Sequence, residues 1–539
     1  MYIYPTKFKS TLMTYIKLSG IPLLFMSLFC SAQTIHFPDA QFENALLNTL
    51  CVDTDFDGIG DKNADLNDDG EIEINEAQQI INLKIDSQNI ESLEGIEHFI
   101  NLENLDCSSN SLKKLNLYKL VKLEELNCSD NLIKKLNVQD LIVLEKLSCR
   151  SNRLEKLNVQ GLTNIREIDG AYNQIKILNL DGLNNLKILE FGFNKLSKLV
   201  MYNLPKITKI HVYCNQLKSL ELINLPHLFR LICSANELTS LEIENLPNLN
   251  FLVCSYNKIT NLSLVNTSNL EVLYCNNNEI ENINLQHCPK LNYLDCNHNN
   301  IKFLDLQKNP KLEELKCYSN NLEIINLELL THLANFNCSF NYIKFLNLQN
   351  NLHLRQLDCS NNEINKLDLE NNSILFSLDC SYNTIEKLAL QFVPTLEKLT
   401  CSHNKLSHLD LNSIPKLDSL DCSYNEIINL DLQKTNNIFN LNCSHNNIQN
   451  LDLQFTPKLV KINCSNNYIK SLDLKYVSTL EILKCSYNQI TDLNLQSMLA
   501  LYVLDCSFNQ LTNLNFSKLK EYARLYYYGN PLISPPIKK

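Results

Sequence analysis

The amino-acid sequence predicts a mainly β fold, a solenoid of about 22 coils with a small helical cap at its N-terminal end. Asparagine recurs at intervals of 21 residues from Asn110 to Asn530, and Asn89 fits the same interval. Apolar residues recur in the same phase on both sides of each Asn. A fixed period of this length is typical of stacked repeats, so we expect the repeat to set the fold from residue 81 onwards.

Each period contains two short segments in which apolar and polar side chains alternate, for example Leu357-Asp358-Cys359 and Leu367-Asp368-Leu369. Alternation indicates extended chain, and too few residues separate the two segments for a long helix. One coil cannot bury its apolar side alone, whereas stacked coils share a continuous core with strands about 4.8 Å apart. The stack is expected to form a rod on the order of 100 Å long.

The repeated Asn has a physical explanation. We expect its side chain to be buried where the chain leaves the first extended segment, because an amide offers donors and an acceptor to backbone groups at the turn. Asn also adopts turn conformations that most residues avoid, which suits a chain with only 10 Gly in 539 residues.

The repeated phrase Leu-x-x-Leu-x-Cys-x-x-Asn-x-Ile resembles the leucine-rich repeat in its short, 21-residue bacterial form. The resemblance covers residues 81 to about 532. It implies a right-handed solenoid with a parallel sheet on its concave face, and a role in binding proteins. Residue spacing alone predicts the solenoid but not the role.

Seventeen of the 21 cysteines occupy one position of the repeat, three residues before the Asn. Many cysteines in an exported chain suggest disulfides. However, Gly170, Phe191 and Val212 fill this position in three coils, which a metal or redox set would not tolerate. We therefore interpret the column as small buried hydrophobic residues. The cysteines expected to be more accessible lie outside the column: Cys51, Cys214 and Cys288.

Residues 1–32 have the features of a secretory signal peptide, with three Lys, an apolar run over 21–29 and small residues before Gln33. Cleavage after Ala32 is favoured over lipidation of Cys30, because the bulky Phe29 precedes that cysteine. No later run approaches about 20 apolar residues, so no transmembrane segment is expected after cleavage. We predict an exported protein, extracellular or at the cell surface, with the periplasm as the alternative.

The chain carries a formal net charge of -11, and the first 32 residues contain Lys but no acid. Nucleic-acid binding needs a basic face, so this class of partner is not expected.

Residues 65–76 match the twelve-residue calcium loop of the EF-hand at every position, with Gly70 at the bend. Hard oxygen donors at this spacing suit Ca²⁺. The predicted ligands are the side chains of Asp65, Asn67, Asp69, Glu73 and Glu76 and the carbonyl of Glu71.

The preceding segment shares the first half of this pattern and resembles the calcium loops of dockerins and thrombospondin type 3 repeats. Ala64 stands where the bidentate acid belongs. A second, weaker calcium site and a solvated acidic turn are both open interpretations. The acids concerned are Asp53, Asp55, Asp57 and Asp61.

Residues 33–80 are predicted to form a cap, because an open solenoid end exposes core and an unpaired strand edge. Asp39 can start a helix with Phe42, Leu46 and Leu50 on one face, and a short helix is expected from Asn75. We expect calcium to stabilise this cap, and a regulatory calcium switch is the alternative.

Outward positions of the first segment become apolar or aromatic between about residues 188 and 293. An exposed apolar surface that contains an Arg is typical of an interface. Surface drift or lateral packing between copies would produce the same pattern. The predicted partner-binding residues are Phe229, Arg230, Ile232, Phe251, Val253, Tyr274 and Tyr293.

The sequence contains no nucleophile with a recognisable base, so we expect no enzyme activity. The expected function is an exported scaffold that binds a protein or glycan partner on the concave face. A structural spacer or self-assembling component of the cell envelope is the alternative. The expected domains are a signal peptide at 1–32, a calcium-binding cap at 33–80, the repeats at 81–532 and a tail at 533–539.

Overall fold

Twenty-two short parallel strands, one per coil, form a single sheet along the repeat region. The structure is a computed structural model and describes residues 33–536. Each strand pairs with the next in the same register, so that Leu357 lies opposite Leu378 and Leu378 opposite Leu399. The predicted mainly β solenoid of stacked coils is therefore confirmed. The signal peptide predicted at residues 1–32 lies outside the described residues.

The strands of this sheet are three residues long and consist of the inward apolar residue and one residue on each side of it, after which the chain turns. Their bounds are Asn82–Lys84, Asn104–Asp106, Glu125–Asn127, Lys146–Ser148, Glu167–Asp169, Ile188–Glu190, Lys209–His211, Arg230–Ile232, Phe251–Val253, Val272–Tyr274, Tyr293–Asp295, Glu314–Lys316, Asn335–Asn337, Gln356–Asp358, Ser377–Asp379, Lys398–Thr400, Ser419–Asp421, Asn440–Asn442, Lys461–Asn463, Ile482–Lys484, Val503–Asp505 and Arg524–Tyr526. The middle residue of each strand points into the core and the two outer ones point outwards. We call the surface formed by these outer residues the sheet face.

The second segment of each coil is less regular than the sequence predicts. Among the described residues it forms two separate two-stranded sheets. Lys198–Tyr202 pairs with Ser219–Ile223, and Ser240–Glu242 pairs with Asn261–Ser263. Both lie in the coils that also carry the apolar part of the sheet face. Single-turn 3-10 helices occur at Ile96–His98 and Leu390–Phe392.

The Asn column forms a hydrogen-bonded ladder through the core, as predicted. Asn341 Nδ2 donates to the carbonyls of Cys317 in the preceding coil, at 3.0 Å, and of Cys338 and Ser339 in its own coil, at 3.1 and 3.2 Å. Its Oδ1 accepts the backbone N–H of Leu322 at 2.9 Å. Equivalent bonds recur at Asn131, Asn362 and Asn509. Each Asn thus ties two consecutive coils together.

The first coil departs from the 21-residue phase. Leu83 pairs with Leu105, which is 22 residues later, so Gln88 and not Asn89 occupies the ladder position. Gln88 Nε2 donates to the Asp86 carbonyl, whereas Asn89 is exposed and has a positive φ of 59°. The inclusion of Asn89 in the column was therefore wrong, because one additional residue in the first coil shifts the register.

The residue before each ladder Asn adopts the left-handed backbone conformation. The expectation that the Asn itself adopts an unusual turn conformation is wrong for the ladder positions. For a residue with a side chain this conformation costs about 1 kcal/mol or more. Stacking of the side chains between coils offsets part of the cost. In one run, Tyr382, His403, Tyr424 and His445 have φ values of 51–54° and ring centroids 3.9–4.0 Å apart.

The cysteine column lies in the core, as predicted, and all its members are fully buried free thiols. Burial raises their pKa, for example that of Cys464 to about 12. In the coils without Cys, a large residue fills the space that a small one leaves. A Cβ on Gly170 would lie 2.6 Å from the Phe191 ring, which occupies that space.

The expectation for the three cysteines outside the column was correct only for Cys214, which is partly exposed at a left-handed corner with φ 52°. Cys51 and Cys288 are fully buried. Cys51 packs beneath the cap, where its Sγ lies 3.8 Å from the Leu46 carbonyl oxygen. Cys288 faces the core from the second half of its coil, where its Sγ contacts Thr267 Oγ1 at 3.3 Å.

The N-terminal cap covers the free edge of the first strand. Helix α1 spans Ala40–Asn48, and Asp39 Oδ1 caps it. Asp39 Oδ2 also accepts the backbone N–H groups of Glu91 and Ser92, so this carboxylate joins the cap to the first coil. Burial acts to raise the pKa of Asp39, but these backbone donors hold it below its usual value.

The chain after α1 pairs with the solenoid in antiparallel fashion. Val52 lies opposite Leu83, and Lys84 N donates to the Cys51 carbonyl at 2.7 Å. Leu50 was expected on the buried face of α1, but it lies past the end of the helix and is 66% exposed. Helix α2 spans Ile74–Ala77 and leads into the first coil.

We predict that Asn341→Ala destabilises the local coils by on the order of 3 kcal/mol, because the Leu322 N–H loses its acceptor and the carbonyls of Cys317, Cys338 and Ser339 each lose one of two donors. Hydrogen exchange of the Leu322 amide measures this effect, because Leu322 is the donor to Asn341 Oδ1. Asn350→Ala is the control, since Asn350 is exposed and donates only to the Glu328 carbonyl. Equal protection of Leu322 in both variants would contradict the proposed role of the ladder.

We also predict that residues 33–539 contain a single fast-reacting thiol, Cys214. Labelling with a thiol reagent under native conditions and peptide mapping should find it alone. The rate should rise with pH, because burial raises the pKa of this thiol and the thiolate is the reactive form. Cys214→Ala should abolish the fast phase, and equally fast labelling of Cys51 or Cys288 would contradict the packing described above.

Candidate functional sites

The two acidic loops of the cap have the same backbone design, 12 residues apart. Asp65 Oδ2 accepts the N–H of Gly70 at 2.8 Å, and Asp53 Oδ2 accepts the N–H of Gly58 at 2.9 Å. Both glycines have a φ near +90°, a conformation that favours Gly at the sixth position of each loop. The structure therefore shows that the first half of the calcium-loop pattern is present twice.

In the second loop, carboxylates from both ends of residues 65–76 converge. Glu76 Oε1 accepts the N–H groups of Leu66 and Asn67 at 2.8 and 3.1 Å, which draws the last ligand position to the first. Asn67 Nδ2 donates to Glu73 Oε2 at 3.2 Å. Asp65, Glu73 and Glu76 are buried.

The proximity of these acids changes the pKa of Glu73. The pKa of Glu73 is raised to about 7, first by a hydrogen bond with the Glu76 carboxyl, then by burial and by the charges of Glu76 and Asp69. Neighbouring acids that raise the pKa of Glu73 form a site that a divalent cation would stabilise. Hydrogen bonds thus connect Asp65, Asn67, Asp69, Glu73 and Glu76 within one loop, and their role as calcium ligands stays a prediction. The Glu71 side chain accepts Thr34 Oγ1 at 2.9 Å, which leaves its carbonyl as the available ligand.

The first loop also gathers acids. One carboxylate oxygen each from Asp53, Asp55 and Asp61 lies within 4.8 Å of the others. Asp57 is outside this group, and its Oδ1 accepts the N–H of Ile59 at 2.7 Å. Hydrogen bonds from the Thr54 backbone and hydroxyl lower the pKa of Asp61. Three of the four predicted acids therefore converge.

The first loop borders the sheet face. Asp53, Phe56 and Gly58 line one end of a groove of about 630 Å³ that extends over the first six strands. Lys84 Nζ donates to the Gly58 carbonyl, and Asn82 Nδ2 donates to the Asp53 carbonyl at 2.9 Å. An ion bound in this loop would therefore act on residues that contact the sheet face directly.

Three consecutive strands carry a continuous aromatic and apolar surface, which we call the platform. It consists of Phe251, Val253, Val272, Tyr274 and Tyr293. Phe251, Val272 and Tyr293 form one column across the strands. The Tyr274 ring lies 6.0 Å from that of Phe251 and 4.7 Å from that of Tyr293. The structure thus brings together residues that are 42 positions apart in the sequence.

Arg230 and Ile232 lie on the adjoining strand, and the Arg230 guanidinium is 4.0 Å from the centroid of the Phe251 ring. Phe229 does not belong to this surface. It precedes the strand, is 48% exposed, and lines a separate depression with Thr208 and Asn250. The predicted partner-binding residues therefore form one surface except for Phe229, because a shift of one position moves a side chain out of the sheet face.

Solved structures show which fold these coils build. No protein-family model matches the sequence, and no curated protein sequence matches it. The chain is 26% identical to YopM from Yersinia enterocolitica WA-314, with a TM-score of 0.59 over 85% of this chain and 89% of that one. It is 21% identical to the leucine-rich-repeat protein LIC12759 from Leptospira interrogans, with a TM-score of 0.52 over 65% and 92%.

A third similar structure is the ectodomain of the receptor kinase GASSHO1/SCHENGEN3 from Arabidopsis thaliana, in complex with CASPARIAN STRIP INTEGRITY FACTOR 2. It is 20% identical, with a TM-score of 0.63 over 87% of this chain and 60% of that one. The chain has the leucine-rich-repeat fold. Within residues 33–536, no helix of this leucine-rich-repeat chain has the length and apolar character needed to cross a membrane.

Many acids on the sheet face of the leucine-rich-repeat solenoid are structural. Asp358 Oδ1 accepts both the N–H and the hydroxyl of Ser360, and Asp379 and Asp421 hold Ser381 and Ser423 in the same way. These pairs stabilise the turn that follows each strand. The platform coils have no Asp–Ser pair of this kind at Val253 or Tyr274.

Sequence reasoning missed Lys316 as part of this surface. Its Nζ donates to the Tyr293 hydroxyl at 3.0 Å and pairs with Glu314 at 2.7 Å. The available signal was its place in the same outward column as Val253 and Tyr274, two strands further along. Because Lys is a charged residue, the sequence does not indicate that this side chain packs against an aromatic ring.

We predict that Glu76→Gln weakens Ca²⁺ binding more than about tenfold, because the bidentate ligand loses its charge. Calorimetry on the mature chain measures the affinity. Glu71→Gln makes the same change of charge in the same loop but alters a side chain outside the ligand set, so it should bind Ca²⁺ almost normally. Unchanged affinity in Glu76→Gln would refute the assignment of this loop.

Proposed function

We propose that this chain is an exported, non-enzymatic scaffold that binds a protein partner on the sheet face of its solenoid. The observation that carries the proposal is the platform. Its side chains form a continuous surface, whereas most of the remaining sheet face is polar and engaged in hydrogen bonds between neighbouring coils. Aromatic side chains concentrated on a rigid surface are typical of interface centres.

The comparisons support a binding role at the level of the fold. A leucine-rich-repeat ectodomain of the same architecture is solved with its bound factor. Parallel strands that share one register give such a surface little freedom to rearrange, so a partner meets a preorganised site. Export is supported by the signal-peptide pattern of residues 1–32.

Calcium has a structural role in this proposal. An ion in the 65–76 loop would neutralise the clustered acids and stabilise the cap that covers the first strand. The 53–61 loop is proposed as a second, weaker site. Calcium at millimolar extracellular concentrations suits loops of this kind.

The alternative is a structural spacer of the cell envelope. Exposed apolar residues are also present on the second segment of the coils, for example Phe303 and Phe345, which are 65% and 66% exposed. Such residues would serve lateral packing between copies. Partner binding needs the platform, whereas the spacer function needs the exposed apolar residues of the second segment.

We predict that Phe251→Ala and Tyr274→Ala abolish or weaken partner capture by more than about tenfold, because both remove interface area at the platform. Phe303→Ala is the matched control, since it removes an exposed aromatic ring elsewhere on the solenoid. Pull-downs with the mature chain, in calcium and in chelator, measure both partner binding and metal dependence. Full capture by the platform variants, or self-assembly that only Phe303→Ala disrupts, would favour the spacer.

A further inference from the structure

Basic residues adjoin the platform on its N-terminal side. Lys209, Arg230 and Phe251 occupy one column on three consecutive strands. The Arg230 guanidinium lies over the Phe251 ring, and within residues 33–536 its side chain has neither an ion pair nor a hydrogen bond. An aromatic ring, and not an acid, therefore holds this cation in place.

The acid that could neutralise this cluster is engaged elsewhere. Glu190, two strands before Arg230, bonds to His211 Nδ1 at 2.8 Å. His211 lies opposite Ile232 on the neighbouring strand. Its Nε2 and the Nε of Arg230 are both buried without a hydrogen-bond partner in the described chain. Glu190 is therefore held by His211, and Arg230 keeps its charge without an acid bonded to it.

The cluster contrasts with its surroundings. The chain has 59 acidic and 48 basic residues, and the neighbouring groove contains Asp106, Glu167, Asp169 and Glu190. At the other end of the platform, Lys316 is already paired with Glu314. Within residues 33–536, Lys209 and Arg230 are thus two adjacent cations that form no ion pair, next to an apolar surface, in an acidic protein.

We propose that Lys209 and Arg230 select an acidic peptide segment of the partner. An Asp or Glu carboxylate of that segment binds the Arg230 guanidinium, and its aromatic or branched apolar side chains bind the platform. This inference rests on the proposed function and specifies the chemistry of the partner. Stacking on Phe251 preorganises the guanidinium, which is suited to bidentate binding of a carboxylate.

The dimensions suit a short extended segment. Lys209 and Tyr293 are four strands apart, which corresponds to roughly 19 Å along the solenoid. An extended peptide of about six residues spans this distance. Its alternate side chains would point to the sheet face, so an acidic residue with apolar residues two and four positions later fits the surface.

The test uses the mature chain with calcium and three fluorescent peptides of about 12 residues, twice the length of the site. One carries Glu with Phe and Leu two and four positions after it, so that all three face the sheet, and in the others Gln or Lys replaces every Glu. We expect the Glu peptide to bind at least about tenfold more tightly than the Gln peptide, and its affinity to fall as salt is added. Arg230→Gln should remove this preference, and Lys209→Gln should reduce it.

Two variants serve as matched controls. Arg524→Gln and Lys461→Gln remove the same charges from the same outward strand position in distant coils, and both should leave the preference intact. Circular dichroism of each variant checks that the solenoid remains folded.

Equal binding of the Glu and Gln peptides, absence of binding by all three, or a preference that survives Arg230→Gln would overturn the inference. Binding of an acidic polysaccharide such as polygalacturonate in place of the Glu peptide would also overturn it. Phe251→Ala separates this result from the proposed function. If it abolishes partner capture while Arg230→Gln changes nothing, the platform remains the binding site and only the acidic segment is excluded.

Discussion

The hydrogen bonds of the buried Asn ladder are the interaction on which the rest of the structure depends. Each side chain donates to carbonyls in two consecutive coils and accepts an N–H from the preceding coil, as Asn341 shows. A planar amide of this length supplies two donors and an acceptor at once, whereas a hydroxyl supplies only one donor and a carboxylate supplies none. The ladder therefore fixes where every coil turns and holds the strands in one register.

Because the Asn ladder constrains each coil, only a few positions of the coil are free to vary in sequence. The residue before each Asn must adopt a left-handed conformation, and the residue three positions before it must fill the core. Two outward positions per strand remain free to change. In most coils they hold polar side chains that bond to the turn or to the neighbouring coil, as Asp358 does with Ser360. The platform and the unpaired Arg230 are where this pattern is replaced, and we infer that selection for binding acts there.

The start of the ladder also explains why the N-terminal end of the solenoid carries a cap. In the first coil Gln88 replaces Asn, and the first strand has no preceding coil to pair with. Val52 and its neighbours supply the missing edge, and Asp39 ties helix α1 to the coil. Lys84 connects the first acidic loop to the start of the sheet.

Periods and spacings along the chain predict the solenoid, the burial of the Asn and Cys columns, the two acidic loops and most of the platform. The bonding partners of individual groups depend on the tertiary structure. It placed Asn89 outside the ladder, buried Cys51 and Cys288, left Leu50 exposed and removed Phe229 from the sheet face. It also showed that Glu190 binds His211 and leaves Arg230 on the Phe251 ring. Periodicity predicts on which face a side chain lies, whereas its contacts depend on the packing of neighbouring coils.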